Sequence, residues 1–334
     1  MLSQGSFSSA FAEGSTQFQM PAEDRPGQHP VVPPRGPLPQ AVEWPTLLVA
    51  AAIYGGFGLV TWFHAALPWW VLLPLGAYLL AWHGSLQHEV THGHPTPSAV
   101  FNELLVLPSL WLWMPFRLYR ETHLAHHNDA QLTDPLADPE SYYLDARSWA
   151  AAGMPTRAFL HAHNTLAGRL LLGPARCLWL FYKGEIARLL RGDTRHAAAW
   201  ALHAAGVALV LLWVIAVCGL PLWQYLLLFV YPGIALSLVR SFLEHQARPE
   251  VSERSVIVES GPLMSLLFLN NNLHLVHHDK PGLPWYRIPA FYRQRRDLFL
   301  ASNGGYHFKG YREVFRRHFL RAKEAPLHPA ATAP

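Results

Sequence analysis

The sequence predicts an all-α integral-membrane protein, with four transmembrane helices in two hairpins and a cytoplasmic helical cap that holds a histidine-rich di-metal site. Three observations lead there. Charged side chains make up only 14% of the 334 residues, against about 25% in an ordinary soluble domain, which argues against both a conventional soluble enzyme and a disordered chain. The apolar residues gather in four segments that each approach the ~20 residues needed to cross a bilayer. Histidine, with 20 copies, nearly matches the 22 aspartates and glutamates together, and many of these copies sit in short repeated boxes.

Residues 1–42, rich in Gly, Ser, Gln and Pro without apolar periodicity, read as a disordered tail; no basic patch followed by an apolar core marks a cleavable signal peptide. The membrane domain is expected over 43–323. Its spans fall at 46–63, at 69–86 with Pro74 inside, at 197–218, and at 223–240 with a Pro232–Gly233 kink. Trp44, Trp62, Trp69, Trp70, Trp200 and Trp223 lie near their ends, where an amphipathic indole sits best. The links His64–Pro68 and Gly219–Leu222 contain no Lys or Arg. The 26 basic residues lie elsewhere: two in the N-terminal tail, ten between the second and third spans, Arg240, and thirteen after it. Positive flanks stay in the cytoplasm, so both termini and the middle section are expected there, the membrane being a bacterial inner membrane. Val100–Met114, interrupted by Pro108, and Ser255–Asn270 are too short to span and suit re-entrant or interfacial helices. Residues 324–334 read as a second disordered end. Cys177 and Cys218, both in apolar runs, supply neither the roughly four thiolates of an iron–sulfur cluster nor a disulfide framework.

The histidines fall on the cytoplasmic side of this topology. His88-Glu-Val-Thr-His92 follows the second span, His123-Leu-Ala-His126-His127 lies in the middle section, and His274-Leu-Val-His277-His278 follows the fourth span, with His245 before it. Helix positions three or four apart share a face, with Cβ atoms about 5–6 Å apart, so each box presents its imidazoles together. Imidazole ligates Fe, Zn, Cu and Ni. One pair at i, i+4 is commonly a solvated helix face, but two HxxHH boxes in a chain of such low polarity are not, and the count suggests two ions of four or five nitrogens each. His94, beside Pro95, falls outside the helical spacing. His83 and His203, inside spans, read as hydrogen-bonded core residues; His64, His161, His163, His196, His307 and His318 read as surface. Glu89, Glu121, Asp129, Glu244 and Asp279 each lie within two residues of a candidate ligand. At least two of them are expected to accept imidazole N–H bonds and moderate the charge.

The order HxxxH, HxxHH, HxxHH, with an extra histidine before the last box and two membrane hairpins, resembles the integral-membrane fatty acid desaturase superfamily, which also includes hydroxylases and carotenoid ketolases. The resemblance covers roughly Thr46 to Arg293, and the three boxes are specific only together. It implies two iron ions held by His88, His92, His123, His126, His127, His245, His274, His277 and His278, with O2 as co-substrate. Some members carry an asparagine four residues before the extra histidine; this chain has Ser241 there. Asn270, Asn271 and Asn272 are substitutes, with Asn272 expected beside Glu89, Glu244 and Asp279 around the ligands. The implied reaction is insertion of a double bond into a fatty acyl or related lipid-like chain, with hydroxylation or ketolation as the alternative. The stretches His88–Pro95 and Asn270–Tyr286 look more like bacterial acyl-lipid or small-molecule desaturases than alkane hydroxylases, and some relatives act on amino-acid derivatives.

Removing hydrogen from an unactivated methylene needs a redox metal and O2, and no other cofactor motif is visible. The chain has no GxGxxG, no cysteine cluster and no fused HPGG. A separate electron donor, such as a ferredoxin or cytochrome b5-type protein, is therefore implied. Arg293, Arg295, Arg296, Arg312, Arg316 and Arg317 suit either an acidic donor or lipid headgroups; nothing points to nucleic acid. Two rival readings remain. His88–His92 formally matches the HExxH motif of zinc metalloproteases, but that leaves both HxxHH boxes unexplained and no span supplies an Asp ligand. A histidine-rich metal transporter would need polar groups near mid-membrane, whereas these cluster outside the spans.

Overall fold

A computed structural model describes residues 38–329, apart from the side chain of Asp129; most of the expected N-terminal tail and residues 330–334 lie outside it. Helices α1 (Trp44–Trp62) and α2 (Trp69–Thr91) form the first hairpin. Short α3 (Ala99–Leu105), α4 (Phe116–His126), α5 (Ala146–Ala151) and α6 (Met154–His163) lead into the 25-residue α7 (Leu166–Leu190). The second hairpin is α8 (Ala197–Val217) and α9 (Leu222–Ser241). Beyond it come α10 (Pro262–Leu267), α11 (His274–Asp279), α12 (Ile288–Gln294), α13 (Arg296–Ser302) and α14 (Tyr311–His318). Two-residue strands β1 (Ile257–Val258) and β2 (His307–Phe308) pair in parallel, with Ile257 opposite His307.

Among the described residues, three helices, α1, α8 and α9, are long and apolar enough to cross a membrane. Trp44, Trp62, Trp69, Trp70 and Trp223 are exposed near helix ends, and Leu48, Leu59, Leu209, Leu212 and Leu227 are exposed along the outer faces. Of the four expected spans, the second, α2, is not among these three. Helix α2 is 23 residues long, but its C-terminal half carries buried His83, Ser85, Gln87, His88 and Glu89. It packs between α1 and α9, so polar groups there face protein.

Close packing of α2 against α9 depends on two glycines. A Cβ on Gly233 would sit 2.6 Å from Leu80 Cβ, and one on Gly76 would sit 2.6 Å from the Phe229 ring and 2.7 Å from the Leu228 carbonyl oxygen. Pro232 has no N–H to give the Leu228 carbonyl, and α9 takes a π-type turn over Leu226–Val230 just before it. The expected kink is thus a change of helix type.

Of the apolar stretch Val100–Met114, only α3 is helical. The rest is irregular, with Leu112 at φ +64°. Its polar groups are met by side chains: Tyr54 Oη donates to Leu105 O at 2.6 Å, Tyr225 Oη to Leu110 O at 2.6 Å, and Trp111 Nε1 donates to Leu80 O at 2.6 Å. Such partners are what permit non-helical backbone inside an apolar protein. The chain after Glu324 was expected to be loose, yet it is docked through Pro329: Leu144 N donates to Pro326 O at 2.8 Å and His328 N to Leu144 O at 2.9 Å. Helix α7 gave no sequence signal because Pro174 and five charged residues interrupt its apolar run.

A Gly233→Leu change is expected to cost about 1–3 kcal/mol of stability by overpacking. Gly55→Ala, where an added Cβ meets nothing within 4 Å, should be neutral or mildly stabilising; thermal unfolding in detergent compares the two.

Candidate metal centre

The three boxes ride on three separate helices. His88 lies on the last turn of α2 and His92 caps it; His123 and His126 lie on the last turn of α4, with His127 at its cap; α11 supplies His274, His277 and His278. His245 lies past the end of α9, in an isolated bridge with Ser255. The structure brings all nine together. His88, His92, His123 and His277 form one group and His126, His245, His274 and His278 another, each with ligand atoms within 4.8 Å of one another and every ring buried. His127 adjoins the first group, its Nε2 being 3.2 Å from that of His123 and 3.0 Å from that of His277, while its ring stacks on His278 at 4.4 Å.

The nitrogen spacing tests whether metals fit. His92 Nε2 lies 3.1 Å from His123 Nε2, and His245 Nε2 lies 3.0 and 2.9 Å from those of His126 and His274. Ligands about 2.1 Å from an ion and at right angles about it are separated by about 3.0 Å. The donor set, neutral nitrogen throughout, suits a transition-metal ion rather than calcium or magnesium. Burial and neighbouring histidines hold His123, His127, His245, His274 and His277 well below the ordinary imidazole range, so these rings keep free lone pairs. Burial also opposes a charge on His126, but Asp138 and Glu140 outweigh it and push that ring up to about 10. Their carboxylates favour a cation there.

The groups that orient the rings are Asn271, one of the three asparagines noted in the sequence, and two carboxylates not noted there. His123 Nδ1 donates to Glu140 Oε1 at 3.0 Å and His126 Nδ1 to Asp138 Oδ1 at 2.8 Å. His274 Nδ1 donates to Asn271 Oδ1 at 2.9 Å, and the Asn271 amide nitrogen lies 3.1 Å from His88 Nε2. Asn271 therefore touches both groups. Asn272 instead donates to Val258 O at 2.7 Å and ties the box to β1. Glu244 is near, 3.7 Å from His274 Nδ1, but its closer partner is Arg240 Nε at 3.0 Å. Glu89 accepts from Trp285 N at 3.3 Å, and Asp279 is exposed beside Lys280. Glu121 lies 3.8 Å from His196 rather than beside a box histidine, and the Asp129 side chain lies outside the described residues.

Asp138 and Glu140 were missed because they stand 12 and 17 residues beyond their partners, in a loop. The available signal was a run of carboxylates, Asp134, Asp138 and Glu140, in a chain that spends few. Ser241, at the position noted for asparagine, lines the cavity described below. The His245 carbonyl is held by Tyr142 Oη at 2.9 Å and Lys323 Nζ at 2.5 Å. Among the other histidines, His94 donates to Glu43 at 2.9 Å and joins neither group. His83 and Tyr54 Oη are 3.2 Å apart, and His203 lies 3.3 Å from Leu112 O. His163 and His196, expected at the surface, are buried; Glu185 lies 3.2 Å from His196.

A family model described as fatty acid desaturase matches residues 61–310. No curated protein matches the chain.

Two predictions follow from the geometry. His277→Ala and His274→Ala should each lower bound metal from about two ions per chain toward one, read by elemental analysis. Asp138→Asn should weaken metal retention about 10–100-fold, whereas Asp279→Asn should leave it unchanged.

Proposed function

The chain belongs to the fatty acid desaturase family, and from that premise we propose that it is a membrane-bound, O2-dependent di-iron desaturase that introduces a double bond into a fatty acyl or related chain. The family is one of membrane oxidoreductases acting on acyl lipids. The observation that carries the reading is the pair of buried imidazole groups drawn from three helices and His245. His88, His92, His123, His127 and His277 would hold one iron and His126, His245, His274 and His278 the other. When bound, the irons would supply, with O2 and two external electrons, the oxidising power to break unactivated C–H bonds.

The rest is the work of the chain's own residues. Glu140, Asp138 and Asn271 fix ring orientation through their hydrogen bonds. Beside the histidines lies a cavity of about 60 Å3, walled by apolar Ala81, Trp111, Met114, Ile234, Leu238 and Phe268. Trp111 packs so closely over Gly84 that a Cβ there would meet its ring at 2.0 Å. Ala81, Gly84 and Ser85 line the cavity, and their helical spacing continues to His88. An apolar substrate segment in this cavity would lie next to the metal ligands, screened from water.

We read α2 as the fourth span, with the helices after it and after α9 forming a cap on the cytoplasmic side. The six exposed arginines of 293–317 are interleaved with exposed Leu298, Phe315, Phe319 and Leu320. That mixture favours lipid headgroups over an acidic donor. The zinc-protease reading is disfavoured because His88 and His92 are completed by His123 and His277.

Expression in a host of defined lipids, with mass spectrometry of lipids and polar metabolites, tests the reaction: a new alkene is expected, abolished by His277→Ala. Hydroxylated products without alkenes would overturn desaturation and leave the metal centre standing. Reporter fusions test the topology: the 64–68 and 219–221 links should report the side opposite to residues 146–163.

A further inference from the structure

A tunnel built only for hydrocarbon has no use for a guanidinium, yet Arg240 lines the cavity together with Gln87, Tyr119, Ser237 and Glu140. Arg240 Nε is taken by Glu244 at 3.0 Å, and the guanidinium also bonds the Tyr119 hydroxyl. Its Nη1 is buried and has no hydrogen-bond partner among the described residues. A buried donor without a partner is costly, and a buried arginine fork suits a carboxylate. The polar wall is also the wall nearest the histidines, because Glu140, which lines the cavity, accepts from His123. The apolar wall of Ile234, Leu238 and Phe268 completes an amphiphilic pocket.

We propose that Arg240 binds an anionic group of the substrate, so that the enzyme acts on a small amphiphilic carboxylate at a carbon only a few bonds from that carboxylate, rather than deep in a long esterified acyl chain. The inference rests on the oxidative reading of the metal centre. With two Fe(II) ions in place the surroundings favour an anion. Two divalent cations and Arg240 outweigh Asp138, Glu140 and Glu244, the acids nearest the groups.

The test uses the iron-loaded, full-length protein and calorimetric titration with hexanoate, hexanamide and 1-hexanol. Hexanoate should bind more tightly than either neutral analogue, and Arg240→Gln should weaken it by about tenfold or more. Arg240→Lys should keep part of the difference. Ser237→Phe, which puts an aromatic ring into the cavity and leaves Arg240 and Glu244 themselves unaltered, should also abolish hexanoate binding; retained iron and an unchanged unfolding temperature in Arg240→Gln exclude loss of the fold as the cause. Equal binding of hexanoate and 1-hexanol, or hexanoate binding that survives either Arg240→Gln or Ser237→Phe, overturns the proposal. Iron analysis on the same samples separates the two readings. Arg240-dependent hexanoate binding without iron removes the oxidative assignment and keeps the anion site, while bound iron with binding indifferent to Arg240 removes the anion site alone.

Discussion

The structure depends on keeping nine imidazoles face to face in a buried space. Nitrogen atoms 2.9–3.2 Å apart repel when both present lone pairs, and the Nδ1 protons of His123, His126 and His274 are already given to Glu140, Asp138 and Asn271. A cation is the partner that satisfies several of them at once. This explains why so much of the surrounding chain is devoted to fixing backbone. Two glycines bring α2 against α9, tyrosine hydroxyls cap the carbonyls of Leu105 and Leu110, and Tyr142 with Lys323 grips the carbonyl of His245.

The two groups are not equivalent. Asp138 and Glu244 lie against His126 and His274 of the second group, and Glu140 stands between the groups, 3.0 Å from His123 and 3.9 Å from His126, while the rest of the first group is enclosed mainly by other histidines. Negative charge is therefore concentrated on one side of the pair. Arg240 sits on that same side and tempers the charge at the cavity wall. Electrostatic asymmetry of this kind gives the two metal positions different environments from residues that share the same ligand type.

The boxes were legible in the sequence because helical spacing is local: His88 with His92, or His274 with His277 and His278, share a face whatever the rest of the chain does. That His245 belongs with them was legible only through family resemblance, since nothing in its neighbourhood is periodic. The orienting groups were least legible. Proximity in sequence suggested Asp279 and Asn272, but a side chain next to a ligand on a short helix points elsewhere, and the partners came from a loop and from the adjacent Asn271. For the spans, hydropathy found the helices that face outward. With them it ranked α2, whose polar residues are tolerated because it is interior, and it missed α7, which carries charges along its length, among them the buried pair Glu185–Arg188.

The strap formed by Lys323 and the docked stretch after it has a consequence for biogenesis. His245 is held in place by residues synthesised long after the membrane hairpins and after all three boxes. The first histidine group can close as soon as α11 has been made, but the grip on His245 in the second forms only when Lys323 and residues 326–328 have emerged and folded back. Assembly is thus ordered in time, with one half of the centre maturing before the other, and a chain that stalls or is clipped near its end would be left with a half-built site.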